Sequence, residues 1–206
     1  MHDLNKLMQE SADLELVIVA LRKTIGYSVT GMTLTDLFPK VLKLLHDNNI
    51  SFAVAGGFAR SVYAPYRLTK DIDLSISIKD LQKIDSVLTE NGFSKTDELE
   101  FSSPAKRTIY KYTYDDKELD LITYDTKLTS AILQSAKHGK LMGCTVSIVS
   151  PEMLVIQKML SYRNKDKADI IEIRDSINLD MDLIREWASK LKMFDRVSVF
   201  DEEKIE

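Results

Sequence analysis

The sequence predicts an α+β fold: a mixed β-sheet flanked by helices, followed by a mainly helical C-terminal part. Three patterns carry this expectation. Polar and apolar residues alternate with a period of two through "DIDLSISI" at 71–78, as in a half-buried strand. "RTIYKYTY" and "ELDLITY" flank Asp115-Asp116, which suits a β-hairpin. From Pro151 onward the spacing is helical in "PEMLVIQKMLSYR", "DKADIIEIRDSI" and "DLIREWASKLKMF". The chain is therefore divided into an N-terminal helical segment at 1–30, a core at 31–149 and a helical region at 150–206.

The elements follow in order. Leu4, Leu7, Met8, Leu14, Val17, Ile18 and Leu21 have helical spacing across Asp3 to Thr24. Gly26 and Gly31 bracket a break. Thr33 or Thr35 caps the next helix, built on Leu37, Val41, Leu42, Leu44 and Leu45 and ended by "DNN" at 47–49. A strand with Ile50, Phe52 and Val54 on one face runs into Gly56-Gly57. "FARSVYA" is a short helix stopped by Pro65. The second strand puts Asp71, Asp73, Ser75 and Ser77 on one face and Ile72, Leu74, Ile76 and Ile78 on the other. Leu81, Ile84, Val87 and Leu88 mark an amphipathic helix closed by Asn91-Gly92. "LTSAILQSA" reads as a helix. "KLMGCTVSIVS" reads as a strand pair or one bent strand, since Gly143 interrupts it. Pro151 suits the first turn of a helix.

Composition narrows the function classes. The chain has 206 residues, 29% of them charged, and a formal net charge of -4. That balance argues against broad adhesion to DNA or anionic membrane. Cys144 is the only cysteine, which excludes an internal disulfide and a multi-cysteine zinc site and suits a reducing cytoplasm. No apolar run is long enough to span a bilayer, and the acidic N-terminus lacks the order of a signal peptide. His2, His46 and His138 lie far apart and form no close metal-ligand spacing.

The stretch "GGFARSVYAPYRLTKDIDLSI" at 56–76 carries the chemistry. The period of two places Asp71 and Asp73 on one strand face, with Cβ atoms roughly 7 Å apart. Two like charges in a cleft repel, and a divalent cation between them removes that cost. Mg²⁺ takes one or two protein carboxylates plus phosphate oxygens. Gly56 and Gly57 let the backbone approach a ligand closely, and the helix after them offers unpaired N–H groups to a phosphate. Arg60, Arg67 and Lys70 add positive charge. Phosphoryl or nucleotidyl transfer asks for a third carboxylate, because two metals about 3.5–4 Å apart need more than one aspartate pair. Asp120, between Leu119 and Leu121, is the preferred residue, with Glu118 as fallback.

This order of elements resembles the DNA polymerase β-like nucleotidyltransferase superfamily: strand, Gly-Gly, short helix, Asp-x-Asp on the next strand, then a lone Asp. Thirteen residues separate Gly57 from Asp71, slightly more than the usual spacing. The resemblance implies Gly56 and Gly57 at the triphosphate, Asp71 and Asp73 as metal ligands, and Asp120 as the third carboxylate. "RLTKDID" and "PEMLVIQKMLSYRNKDKADIIEI" look like AbiEii-type nucleotidyltransferases, in which a helix lysine, here Lys158, faces the phosphates. Lys165, Asp166 and Asp169 follow that pattern, and Arg163 is a further phosphate contact at a different spacing.

The resulting expectation is a metal-dependent nucleotidyltransferase using Mg²⁺, or Mn²⁺ in its place, and a nucleoside triphosphate. Its acceptor is an RNA or tRNA end, a protein hydroxyl, or a small molecule such as an aminoglycoside. Lys137, Lys140, Lys158, Arg163, Lys165 and Lys167 supply a basic track for RNA. A toxin role with an antitoxin partner follows from the AbiEii likeness. The rival reading is a catalytically silent module that binds nucleotide or a partner on the same fold. Tyr110, Tyr112 and Tyr114 read as a packed cross-strand stripe rather than a base-stacking platform.

Overall fold

The computed structural model describes residues 32–201. The helix expected across Asp3 to Thr24 lies outside the described residues. The first described helix, α1 (Leu34–Asp47), is capped by Thr33, whose hydroxyl accepts the N–H of Asp36 at 3.2 Å while Asp36 accepts the N–H of Thr33 at 3.0 Å. This reciprocal pair satisfies two N–H groups that a helix start leaves open.

Strand β1 (Phe52–Val54) follows, then α2 (Gly56–Tyr63), β2 (Asp71–Ile76) and α3 (Leu81–Glu90), the last entered through a 3₁₀ turn at Ile78–Asp80. β3 (Ser94–Phe101), β4 (Arg107–Tyr114) and β5 (Lys117–Tyr124) form a meander. Helix α4 (Thr126–Ser135) leads to the hairpin β6 (Lys137–Leu141) and β7 (Cys144–Ile148). Three helices end the chain: α5 (Pro151–Ser161), α6 (Asn164–Ser176) and α7 (Met181–Lys190), then a 3₁₀ segment at Phe194–Asp201.

The strands join in one mixed sheet ordered β3-β4-β5-β2-β1-β7-β6. β2 runs parallel to β5, and β1 runs parallel to β7; the other neighbours are antiparallel. The expected α+β architecture, a mixed sheet flanked by helices, is therefore present.

The two sheet faces carry different residues because β4 and β5 keep a strict period of two. Tyr110 and Tyr112 are buried on one face, where the Tyr112 hydroxyl donates to Asp85 of α3 at 2.8 Å and Lys40 of α1 sits 3.7 Å over the Tyr114 ring. The tyrosines thus form a packed stripe, Tyr110 and Tyr112 in the core and Tyr114 partly buried against it. The opposite face carries Lys111, Asp120 and the β2 aspartates, and α5 covers part of it through a Gln157-to-Ser75 hydrogen bond of 2.8 Å.

Three local expectations differ from the structure. β1 is shorter than expected and buried throughout, since both of its neighbours in the sheet and the helices enclose it. The two glycines lie inside the first turn of α2 rather than in a turn before it. β3 escaped the sequence pattern because all eight of its residues are exposed, so no apolar face marks it.

Candidate active site

β2 and β5 lie side by side in parallel, in a register that pairs Asp73 with Asp120 and Asp71 with Glu118. Adjacent strands are about 4.8 Å apart, so this register fixes three carboxylates on one face. Asp71, Asp73 and Asp120 each place one oxygen within 4.8 Å of the others. Thr69 holds the first of them, its hydroxyl donating to Asp71 Oδ1 at 2.7 Å. Three hard oxygen donors with no nitrogen or sulfur suit Mg²⁺ or Mn²⁺ better than zinc.

The triad opens onto a cleft of about 170 Å³, whose walls include Gly56, Gly57, Arg67, Tyr124, Lys158, Arg163 and Lys165. Gly56 has φ +54°, and a Cβ there would fall 1.7 Å from Asp73 Oδ2. Only glycine permits both that backbone turn and that approach. At Gly57 a Cβ would lie 2.4 Å from the Thr69 hydroxyl oxygen. The glycines therefore let α2 begin directly against the aspartates, with its N-terminal N–H groups beside the cleft.

Crowding shows in the acid strengths. Burial, then the charges of Asp71 and Asp120, push the Asp73 carboxyl up to about 7, although Lys158 and the Gly57 N–H pull it down. Burial also raises Asp120, while Lys111 opposes the rise. The sign of the consequence follows from proton linkage. An aspartate whose folded pKa exceeds its unfolded 3.8 binds its proton more tightly when folded. It supports folding below about pH 4 and that support is lost as pH rises through about 7. The metal-free protein is expected to melt several degrees lower at pH 8 than at pH 5. Mg²⁺ should recover more of the melting temperature at pH 8, and Asp73→Asn should flatten the difference. Melting curves with chelator and with Mg²⁺ check this.

The cations sort into two groups. Arg67 and Lys158 line the cleft and meet at the fully buried Asp169, at 2.8 and 2.6 Å. Arg163 also lines it, donating its backbone N–H and guanidinium to Asp166. Tyr162, in the left-handed region at φ 51°, ends α5 and turns the chain so that α6 starts here. Arg60 and Lys70 stand elsewhere. Arg60 is 2% exposed on the packed side of α2, paired with Asp169 and Glu172 and bonded to the Pro65 carbonyl. It holds α2 to α6 and does not line the cleft. Lys70 is exposed and does not line it either.

The expected basic track is interrupted. Lys158, Arg163 and Lys165 border the cleft, whereas Lys137 and Lys140 lie on β6, the outermost strand, and Lys167 sits 4.7 Å over the Tyr162 ring.

Sequence reading missed Lys111. Its ammonium lies 2.9 Å from both oxygens of Asp120 and 3.5 Å from Glu118. The signal was present: a two-residue turn at Asp115-Asp116 pairs Tyr114 with Lys117 and, counting back, Lys111 with Asp120. Glu118, the fallback acid, is more exposed and points its oxygen to Lys111 rather than joining the triad.

The family model described as aminoglycoside-2''-adenylyltransferase matches residues 37–173. Among solved structures, ANT(2'')-Ia in complex with adenylyl-2''-tobramycin aligns at TM-score 0.50 and 17% identity, covering 82% of this chain and 98% of that one. The solution structure of ANT(2'')-Ia aligns at TM-score 0.48 and 17% identity, covering 81% and 89%. A candidate nucleotidyltransferase from Thermotoga maritima aligns at 0.46 and 12% identity, covering 75% and 91%. No curated protein matches the chain.

Proposed function

The chain belongs to the aminoglycoside-2''-adenylyltransferase family and is a nucleotidyltransferase; from that premise we propose that it moves a nucleoside monophosphate from a triphosphate to an acceptor hydroxyl, with a divalent metal at Asp71, Asp73 and Asp120. The observation that carries the metal site is the convergence of these three carboxylates within 4.8 Å beside the two glycines that begin α2.

Each residue has a part. Asp71, Asp73 and Asp120 hold Mg²⁺ or Mn²⁺, which when bound neutralises phosphate charge and polarises the phosphate under attack. The N–H groups at the start of α2 face phosphate oxygens. Arg67, Lys158 and Arg163 give the cleft positive charge, and Asp169 and Asp166 fix where that charge sits. Asp120 takes the proton of the acceptor hydroxyl as it attacks the α-phosphorus in line, and pyrophosphate leaves. Positioning and electrostatic stabilisation supply most of the rate.

The family points to an aminoglycoside hydroxyl as the first acceptor to test. A second reading, an RNA end with an AbiEii-type toxin role and an antitoxin partner in the cytoplasm, has its own support. Asp166 and Asp169, the acidic cleft residues outside the triad among the described residues, are already ion-paired. Little unpaired negative charge is left for a polycationic drug. No described helix is long and apolar enough to cross a membrane.

The experiment is incubation with each α-³²P-labelled triphosphate and Mg²⁺, with an aminoglycoside panel in one arm and total RNA plus protein in the other. Label in the aminoglycoside fraction supports the first acceptor, and label at RNA ends supports the second. Triphosphate binding without label in any fraction would return the silent binding module.

A further inference from the structure

The carboxylate triad has a cation built into it. Lys111 comes from β4, directly across from Asp120, and its ammonium is hydrogen-bonded to both oxygens of that carboxylate at 2.9 Å. Lys111 thus offsets part of the negative charge that the three aspartates gather, and does so at Asp120.

We propose that Lys111 stands in for one of the two metal ions that a nucleotidyl-transfer site of this kind would otherwise take, so that the site accepts one divalent ion per chain. The proposal rests on the metal-nucleotide reading above. Its physical basis is competition at Asp120. A second divalent ion on those oxygens would have the Lys111 ammonium beside it, and Asp120 is buried, which limits the water that screens their repulsion. Among the described residues no lysine is hydrogen-bonded to Asp71 or Asp73, and Asp71 receives a neutral hydroxyl donor from Thr69 instead. Their charge therefore remains available to the one ion. Lys111 acts through Asp120 and is a positioning residue: bonded to both of its oxygens, it holds the carboxylate in place beside the other two aspartates.

The test counts ions rather than turnover. Mn²⁺ bound per chain is measured by equilibrium dialysis and electron paramagnetic resonance, with saturating α,β-methylene-ATP. Wild-type protein is expected to bind one ion. Lys111→Met should bind two, and Lys111→Arg, which keeps the charge, should stay at one. Melting curves establish that each variant is folded; if Lys111→Met is not, the wild-type and Lys111→Arg counts decide the matter. Two ions in the wild type, or one in a folded Lys111→Met, would overturn the proposal while leaving the metal site intact. No bound Mn²⁺ in any form removes the metal reading and the proposal with it.

Discussion

Asp73→Asn is expected to lower nucleotidyl transfer by about 10²–10³-fold while making the metal-free protein harder to melt at pH 8. The two effects share one cause. The ionised form of Asp73 is penalised, first by burial and then by its two acidic neighbours. Amide substitution keeps the size of the side chain and removes the charge. Metal affinity and transition-state stabilisation then fall, with losses of the size seen when a key electrostatic group is deleted. The like-charge repulsion falls too, so the fold gains. Label-transfer rates and melting temperatures on the same preparation check both halves. Undiminished transfer would show that the carboxylate plays no part in catalysis. Lost transfer with a lower melting temperature would point to general damage instead.

Asp169→Ala is expected to cost about 3–5 kcal/mol of stability, enough to threaten the fold. Asp169 is fully buried and faces three cations: Arg60, Arg67 and Lys158. Arg60 and Lys158 are themselves buried. Removing the shared carboxylate leaves those charges without their common partner, which is far costlier than losing an exposed ion pair. Urea denaturation measures the loss. A surface pair, such as Lys43 with Asp47 on α1, serves as the control and should change stability by no more than about 1 kcal/mol. A loss no larger than the control's would mean that the cluster does not hold α2, α5 and α6 together.

These two residues also show what the sequence made legible. Asp73 could be read because it sits in a strand whose period of two survives intact, with two glycines upstream at a recognisable spacing. Asp120 could be read because it interrupts an apolar strand. The structural role of Arg60 could not. It lies in a short helix one turn after two glycines, where a phosphate contact is reasonable, and its partners Asp169 and Glu172 are far away in sequence. Nothing local announces a long-range ion pair. Lys70, expected to add positive charge, lies exposed in the bend just before β2 and outside the cleft lining, a placement that no local pattern marks. Lys111 was legible in principle, since hairpin register follows from turn length, but only when both strands are counted together. β3 left no trace because a strand exposed on both sides has no apolar pattern to detect.

The placement of β1 bears on how the chain is made. β1 ends up between β2 and β7, and its pairing with β7 joins Val54 to Ile148. A nascent chain leaving the ribosome has β1 and β2 early, yet one flank of β1 stays open until the distant strand emerges. Contacts so remote in sequence slow folding, and an uncovered central edge invites pairing with other chains meanwhile. The interval before residue 148 emerges is thus the period in which a chaperone would matter most to this protein.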